Sequence, residues 1–154
     1  MRILSVDLGG ARTGLAVCDE SETLASPAGV IFERDRGRLA RQVADRAAER
    51  GAELIVVGLP RNMDGSEGES AKNARAFGEE LFRRSGLPVV FGDERGTTVT
   101  AHNYLNLTDT RGKKRKAVVD AVAATIILQD YLDYRRNTKK TDPPENPAEP
   151  APSK

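Results

Sequence analysis

Hydrophobic and polar positions change period several times along the chain, and the changes predict a strand-first order of elements. Arg2 to Asp7 and Thr13 to Cys18 are short apolar runs joined by Gly9-Gly10-Ala11-Arg12, the pattern of a β-hairpin. After the polar turn Asp19-Glu20-Ser21-Glu22, Leu24 to Phe32 predicts a third strand, placed towards a sheet edge by Pro27 and Gly29. From Asp35 the period becomes helical, with Leu39, Val43 and Ala47 on one stripe, Asp35 as cap and Gly51 as terminator. Leu54-Ile55-Val56-Val57 is apolar on both faces, as in a strand covered on both sides, and stops at Gly58-Leu59-Pro60. A second helix, about Ser70 to Arg84, buries Ala74, Phe77 and Leu81 and ends at Gly86; Pro88 to Phe91 is a fifth strand. Thr98 caps a short helix to about Asn106, and a long helix fills about Arg115 to Tyr134. From Asn137 the Pro-rich sequence lacks apolar anchors and predicts a disordered tail over 137–154, after one domain over 1–136.

Three turn-linked strands followed by helix, strand, helix, strand and terminal helices describe an α/β fold whose mixed sheet has an antiparallel and a parallel half. Composition narrows what it can do. No long apolar segment approaches the ~20 residues of a membrane span, so a soluble, cytoplasmic protein with no membrane partner is expected. Cys18 is the only cysteine and His102 the only histidine, which excludes an intrachain disulfide, a Cys/His zinc cluster and paired-histidine chemistry. The net charge of +1 hides a local cluster, Arg111 and Lys113 to Lys116, opposed only by Asp109.

The informative charges are carboxylates in apolar or glycine-lined settings. Asp7 ends the run Ile3-Leu4-Ser5-Val6 and precedes Leu8-Gly9-Gly10. Asp93 and Glu94 follow the fifth strand, where open α/β sheets gather their sites. Asp120 interrupts Ala117-Val118-Val119 and Ala121-Val122-Ala123-Ala124, where small neighbours leave room for a ligand. An ionised carboxylate taken out of water is penalised by several kcal/mol unless paired or metal-bound. Convergence of three such groups on Mg²⁺ or Mn²⁺ removes that penalty, since hard divalent cations prefer oxygen ligands. The residues alone do not separate Asp93 from Glu94. Arg12 and the loop Arg61-Asn62-Met63-Asp64-Gly65 are candidate phosphate contacts. Lys113, Lys114 and Lys116 join them, because cations at a helix start oppose its dipole and gain a rationale from phosphate binding.

Four strings in order make a resemblance specific: Asp7-Leu8-Gly9-Gly10-Ala11-Arg12-Thr13-Gly14-Leu15-Ala16, Gly58-Leu59-Pro60-Arg61-Asn62-Met63-Asp64-Gly65-Ser66-Glu67-Gly68, Asp93-Glu94-Arg95-Gly96-Thr97-Thr98 and Lys116-Ala117-Val118-Val119-Asp120-Ala121-Val122-Ala123-Ala124. Over about Arg2 to Leu132 the chain resembles the YqgF family, also called RuvX, Holliday-junction-resolvase-like proteins associated with nucleolytic processing of pre-16S ribosomal RNA. The chain departs from the family at Gly96, where a bulky apolar residue is usual, and at Thr100-Ala101-His102. The resemblance implies a ribonuclease H-like fold with a mixed five-stranded sheet, and Asp7, Glu94 and Asp120 as catalytic, metal-binding acids. Arg12, Arg61, Asn62, Arg95, Lys113, Lys114 and Lys116 are then the expected substrate contacts. The implied activity is metal-dependent phosphodiester hydrolysis in 5′-end maturation of precursor 16S rRNA, with ribosomal particles as further partners. Cleavage of four-way DNA junctions, a non-catalytic nucleic-acid-binding module and an actin-like nucleotide-binding enzyme are the rival readings; the last normally needs two lobes.

Overall fold

The fold is described by a computed structural model covering residues 1–60, 66–93 and 112–137, with side chains described for 1–60, 66–92 and 121–136. Its strands are β1 (Ile3–Asp7), β2 (Arg12–Cys18), β3 (Ala25–Phe32), β4 (Leu54–Leu59) and β5 (Val89–Asp93); its described helices are α1 (Arg36–Arg50), α2 (Glu69–Ser85) and α3 (Gly112–Asn137).

The strands form one sheet in the order β3-β2-β1-β4-β5. The β1–β2 and β2–β3 pairs are antiparallel, and the β1–β4 and β4–β5 pairs are parallel. This is the ribonuclease H-like arrangement that the element order implied. Strand β3 is an edge, as Pro27 and Gly29 required, and the register shifts between Leu15 and Ala16 where it pairs with β2. Strand β4 runs two residues further than the apolar pattern marked, because Gly58 and Leu59 pair with Gly92 and Asp93 of β5.

Alternation along the strands sends side chains into two cores. Leu4, Val6, Leu15, Ile55, Val57 and Phe91 pack beneath α1 and α2. Ile3, Ala16, Val56 and Val90 pack beneath α3 through Ala124, Ile127, Leu128, Tyr131 and Leu132. Those α3 positions recur at three- and four-residue spacing, the stripe of a helix laid on a sheet.

The caps predicted for α1 and α2 are present. Asp35 accepts from the Arg38 N–H at 2.9 Å, which holds its carboxyl below the ordinary carboxylate range, and Gly51 ends α1 at φ 68°. Gly86 ends α2 at φ 72°. Helix α3 begins three residues before the expected Arg115 and extends to Asn137. The helix expected from Thr98 and the tail after Asn137 lie outside the described residues.

Candidate nuclease site

Asp7 is the last residue of β1, the middle strand of the sheet, at its carboxyl end. In the alternation of β1 it follows Ile3 and Ser5, so its position is on the α3 face. Ile3 belongs to the core beneath α3, and the buried Ser5 hydroxyl donates to the Ala124 carbonyl on α3 at 2.7 Å. Asp7 itself is half-buried, opposite Gly14 of β2. A glycine there leaves the neighbouring sheet position without a side chain.

The direction of α3 follows from two further links. Glu22 accepts from the Met1 ammonium at 3.1 Å and from Arg135 Nε at 2.8 Å, so the start of β1 lies with the end of α3. Ser5 lies with Ala124. Helix and strand therefore run in opposite senses. Four residues back along α3 is about 6 Å of helix rise, and two residues on along β1 is about 6.8 Å of strand. Position 120 is thereby brought over the end of β1 that holds Asp7. Ser5, which looks like a lone interruption of an apolar run, fixes this phase.

The loop between β1 and β2 is tight where the sequence placed glycines. A Cβ on Gly9 would stand 2.0 Å from the Arg12 carbonyl oxygen, whereas a Cβ on Gly10 would meet nothing within 4 Å. Arg36 Nη1 donates to the Gly9 carbonyl at 2.8 Å, and the Glu33 N–H donates to the Ala11 carbonyl at 3.0 Å. Arg36 belongs to the site's scaffold although the sequence reading used its segment only as a helix start. Gly9→Ala should force the loop open and destabilise the protein by about 1–3 kcal/mol, the usual range for overpacking. Gly10→Ala should stay within about 0.5 kcal/mol, as an exposed substitution without such a contact does. Paired urea melts of the two variants check this contrast; equal midpoints would show that the loop relaxes freely.

Strand β5 brings Asp93 to the same end of the sheet, paired with Leu59. In the strand's alternation, position 93 is in step with Val89 and Phe91, which are members of the core under α1 and α2. Glu94 and Arg95 lie outside the described residues, as do Arg61 and Asn62. For Asp120, Lys113, Lys114 and Lys116 the structure gives the backbone position, within α3, and not the side chain. The three lysines fall in the first turns of that helix, beyond Asp120 in the direction leading past the end of β1. The segment with Arg61 and Asn62 is followed closely by Glu67, which Arg75 of α2 grips through Nε at 2.8 Å and Nη2 at 2.7 Å. That hydrogen bond raises the Arg75 pKa, and its guanidinium also lies 5.3 Å over the Phe91 ring.

Asp7 places one carboxylate at this edge and α3 brings position 120 over it, and carboxylate oxygen is the donor type that hard divalent cations take; among the described residues no group of three or more His, Cys, Asp or Glu is gathered to hold a metal ion.

The family model RuvX, described as Holliday junction resolvase, matches residues 1–134. A relative from Anaeromyxobacter sp. (strain Fw109-5), named "Putative pre-16S rRNA nuclease", is 45% identical over 135 residues, covering 88% of this chain and 98% of the relative. A relative of the same name from Paracoccus denitrificans (strain Pd 1222) is 44% identical over 144 residues, covering 91% and 89%. Among solved structures, Thermus thermophilus RuvC aligns with a TM-score of 0.56 at 15% identity over 94% of this chain and all of that one. The same protein in complex with Holliday junction substrate aligns at 0.58, with 15% identity, over 90% and 97%. At such identity the likeness concerns the fold.

Proposed function

The chain belongs to the RuvX family, a family of nucleases, and from that premise we propose that it hydrolyses phosphodiester bonds of precursor 16S rRNA, in maturation of the 5′ end, with Asp7, Glu94 and Asp120 as its catalytic acids. One observation supports this most strongly: α3 runs against β1 so that position 120 lies over the strand end occupied by Asp7.

Asp7, Glu94 and Asp120 would hold Mg²⁺ or Mn²⁺ through carboxylate oxygens. Such an ion, when bound, supplies positive charge that favours hydroxide over water and stabilises the leaving oxygen. The remaining work falls to the chain's own groups. Arg12, at the start of β2, and the basic first turns of α3 flank Asp7 and are suited to holding the sugar-phosphate backbone. Arg61, Asn62 and Arg95 complete this set of substrate contacts. The Gly9 to Ala11 turn, clamped by Arg36 and Glu33, keeps Arg12 and Asp7 at a fixed separation. Among the described residues no helix is long and apolar enough to cross a membrane. An rRNA-processing enzyme works where ribosomes are assembled, which assigns the chain to the cytoplasm with ribosomal particles as its surroundings.

The test is to deplete the protein in cells and map the 5′ ends of 16S rRNA. Precursor ends should accumulate, and purified protein should trim that precursor only when Mg²⁺ or Mn²⁺ is supplied. Unchanged ends, together with efficient cleavage of a four-way DNA junction, would move the substrate to branched DNA, the reading favoured by the family's description.

A further inference from the structure

Phe32 is a large apolar side chain left 69% exposed. Phe77 and Phe91 are buried and Phe82 is partly buried in the core under α1 and α2. Burying a phenylalanine stabilises a fold by roughly 1.5–3 kcal/mol. Here that stabilisation is forgone at one position.

The position has a definite relation to the candidate site. Phe32 ends β3 directly opposite Arg12, and two residues along β2 from Arg12 is Gly14, the partner of Asp7. Because alternate residues share a face, Asp7, Gly14, Arg12 and Phe32 all take the α3-facing phase of the sheet. Strand spacing of about 4.8 Å and a two-residue step of about 6.8 Å place the Phe32 and Asp7 backbones about 12 Å apart. Only glycine interrupts the row between Asp7 and β3 on β2. Immediately beyond Phe32, the chain is tied to the β1–β2 loop through Glu33 and Arg36, and both Arg34 and Arg36 are exposed. The neighbouring carboxylates are engaged locally: Glu33 accepts from the Asp35 N–H at 3.2 Å, and Asp35 accepts from the Arg38 N–H.

An exposed aromatic ring beside guanidinium groups, on the same face as the candidate acid, has the chemistry of a single-strand binding surface: a π face for a base and cations for its phosphates. We propose that Phe32 stacks an unpaired nucleobase of the substrate strand, with Arg12 and Arg34 on the adjoining phosphates. This rests on the nuclease reading and adds to it that the strand near the cut is unpaired. Association of β3 with a second copy of this chain is opposed by Pro27 on the edge, by the register shift at Leu15 and Ala16, and by Gly29 at φ 100°.

The experiment measures binding in chelator, where turnover is absent. The probes are a single-stranded RNA and a single-stranded DNA oligonucleotide containing 2-aminopurine, with a blunt duplex of equal length. Phe32→Ala should weaken single-strand binding about 5- to 150-fold, the loss expected from one stacked base. It should also abolish quenching of the 2-aminopurine and leave duplex binding unchanged. Phe32→Trp should keep both affinity and quenching. Retention of wild-type affinity by Phe32→Ala overturns the proposal, as does full affinity in Phe32→Leu, which would reduce the contact to generic apolar burial. A wild-type dimer that Phe32→Ala converts to monomer with no change in oligonucleotide affinity would also overturn it, by giving the ring to a second copy. None of these results depends on cleavage. Metal-dependent trimming by Phe32→Ala at saturating precursor, with single-strand affinity unchanged, would leave the nuclease reading standing and remove only this one.

Discussion

Asp7→Asn should lower metal-dependent cleavage by on the order of a thousandfold or more while leaving the melting temperature and nucleic-acid affinity near those of the wild type. Metal assistance supplies several kcal/mol of transition-state stabilisation, and each 1.36 kcal/mol is tenfold in rate. The substitution keeps side-chain volume and removes one charge and one anionic oxygen donor. Asp7 ends its strand and is half-buried, so Asn is accommodated without repacking. Loss of a negative charge near the phosphates leaves binding equal or stronger. Single-turnover rates at saturating precursor, with a melt and a binding isotherm on the same preparation, check all three parts. Activity within about tenfold of wild type would remove Asp7 from the catalytic set, and a matching fall in stability would make it a structural residue.

Much of the fold was legible because periodicity is a local property. The runs at β1, β2 and β4, the stripes of α1 and α2, and the stops at Gly51 and Gly86 each announce themselves within a few residues. Element ends were less legible where pairing partners decide them. Gly58 reads as a strand breaker, yet it lies in β4 because Gly92 stands beside it and the strand has neighbours on both edges. Close packing explains another glycine that local reading passes over: a Cβ on Gly78 would come within 2.5 Å of the Phe91 ring, so the close approach of α2 to β5 at that point needs a residue without a side chain.

The site was legible in part, and for a different reason. Asp7 and Asp120 stand out as charges among apolar residues, which is a cost visible without coordinates. That α3 carries position 120 over the strand end holding Asp7 is not visible. It depends on Ser5 meeting the Ala124 carbonyl, a contact between positions 119 residues apart. Arg36 was missed because a helix-start arginine has no local mark distinguishing a loop clamp from a solvated charge. Phe32 was missed as well, since an aromatic at the end of a strand reads as core until the neighbouring layers are in place.

The largest effect on stability should come from Glu22, which lies far from the candidate acids and was read only as part of a polar turn. Its side chain and that of Arg135 are 6% and 5% exposed, and Arg135 Nε donates to Glu22 Oε1 at 2.8 Å. Burial works against the Glu22 charge, but hydrogen bonds from Arg135 and the N-terminal ammonium, with their positive charges, outweigh it and hold the carboxyl below its ordinary range. The Arg135 guanidinium also lies 5.9 Å over the ring of Tyr131, one turn back on α3, while its bond to Glu22 joins the β2–β3 turn to the last turns of that helix. Glu22→Gln keeps the shape and removes the buried carboxylate to which both Arg135 and the N-terminal ammonium donate, so unfolding free energy should fall by about 3–5 kcal/mol. Replacing both residues, as Glu22→Gln with Arg135→Met, should recover part of that loss, because the buried guanidinium that the Glu22 carboxylate balanced is then removed with it. Since the folded-state pKa of Glu22 is depressed, its contribution is complete above the unfolded carboxylate value of about 4.3 and disappears as pH falls through the lower folded value. Urea melts of wild type and Glu22→Gln should therefore differ most near neutral pH and converge under acid. A difference that stays constant from neutral to strongly acidic pH would show that Glu22 acts through packing, and its charge would then have no part in holding α3 to the sheet.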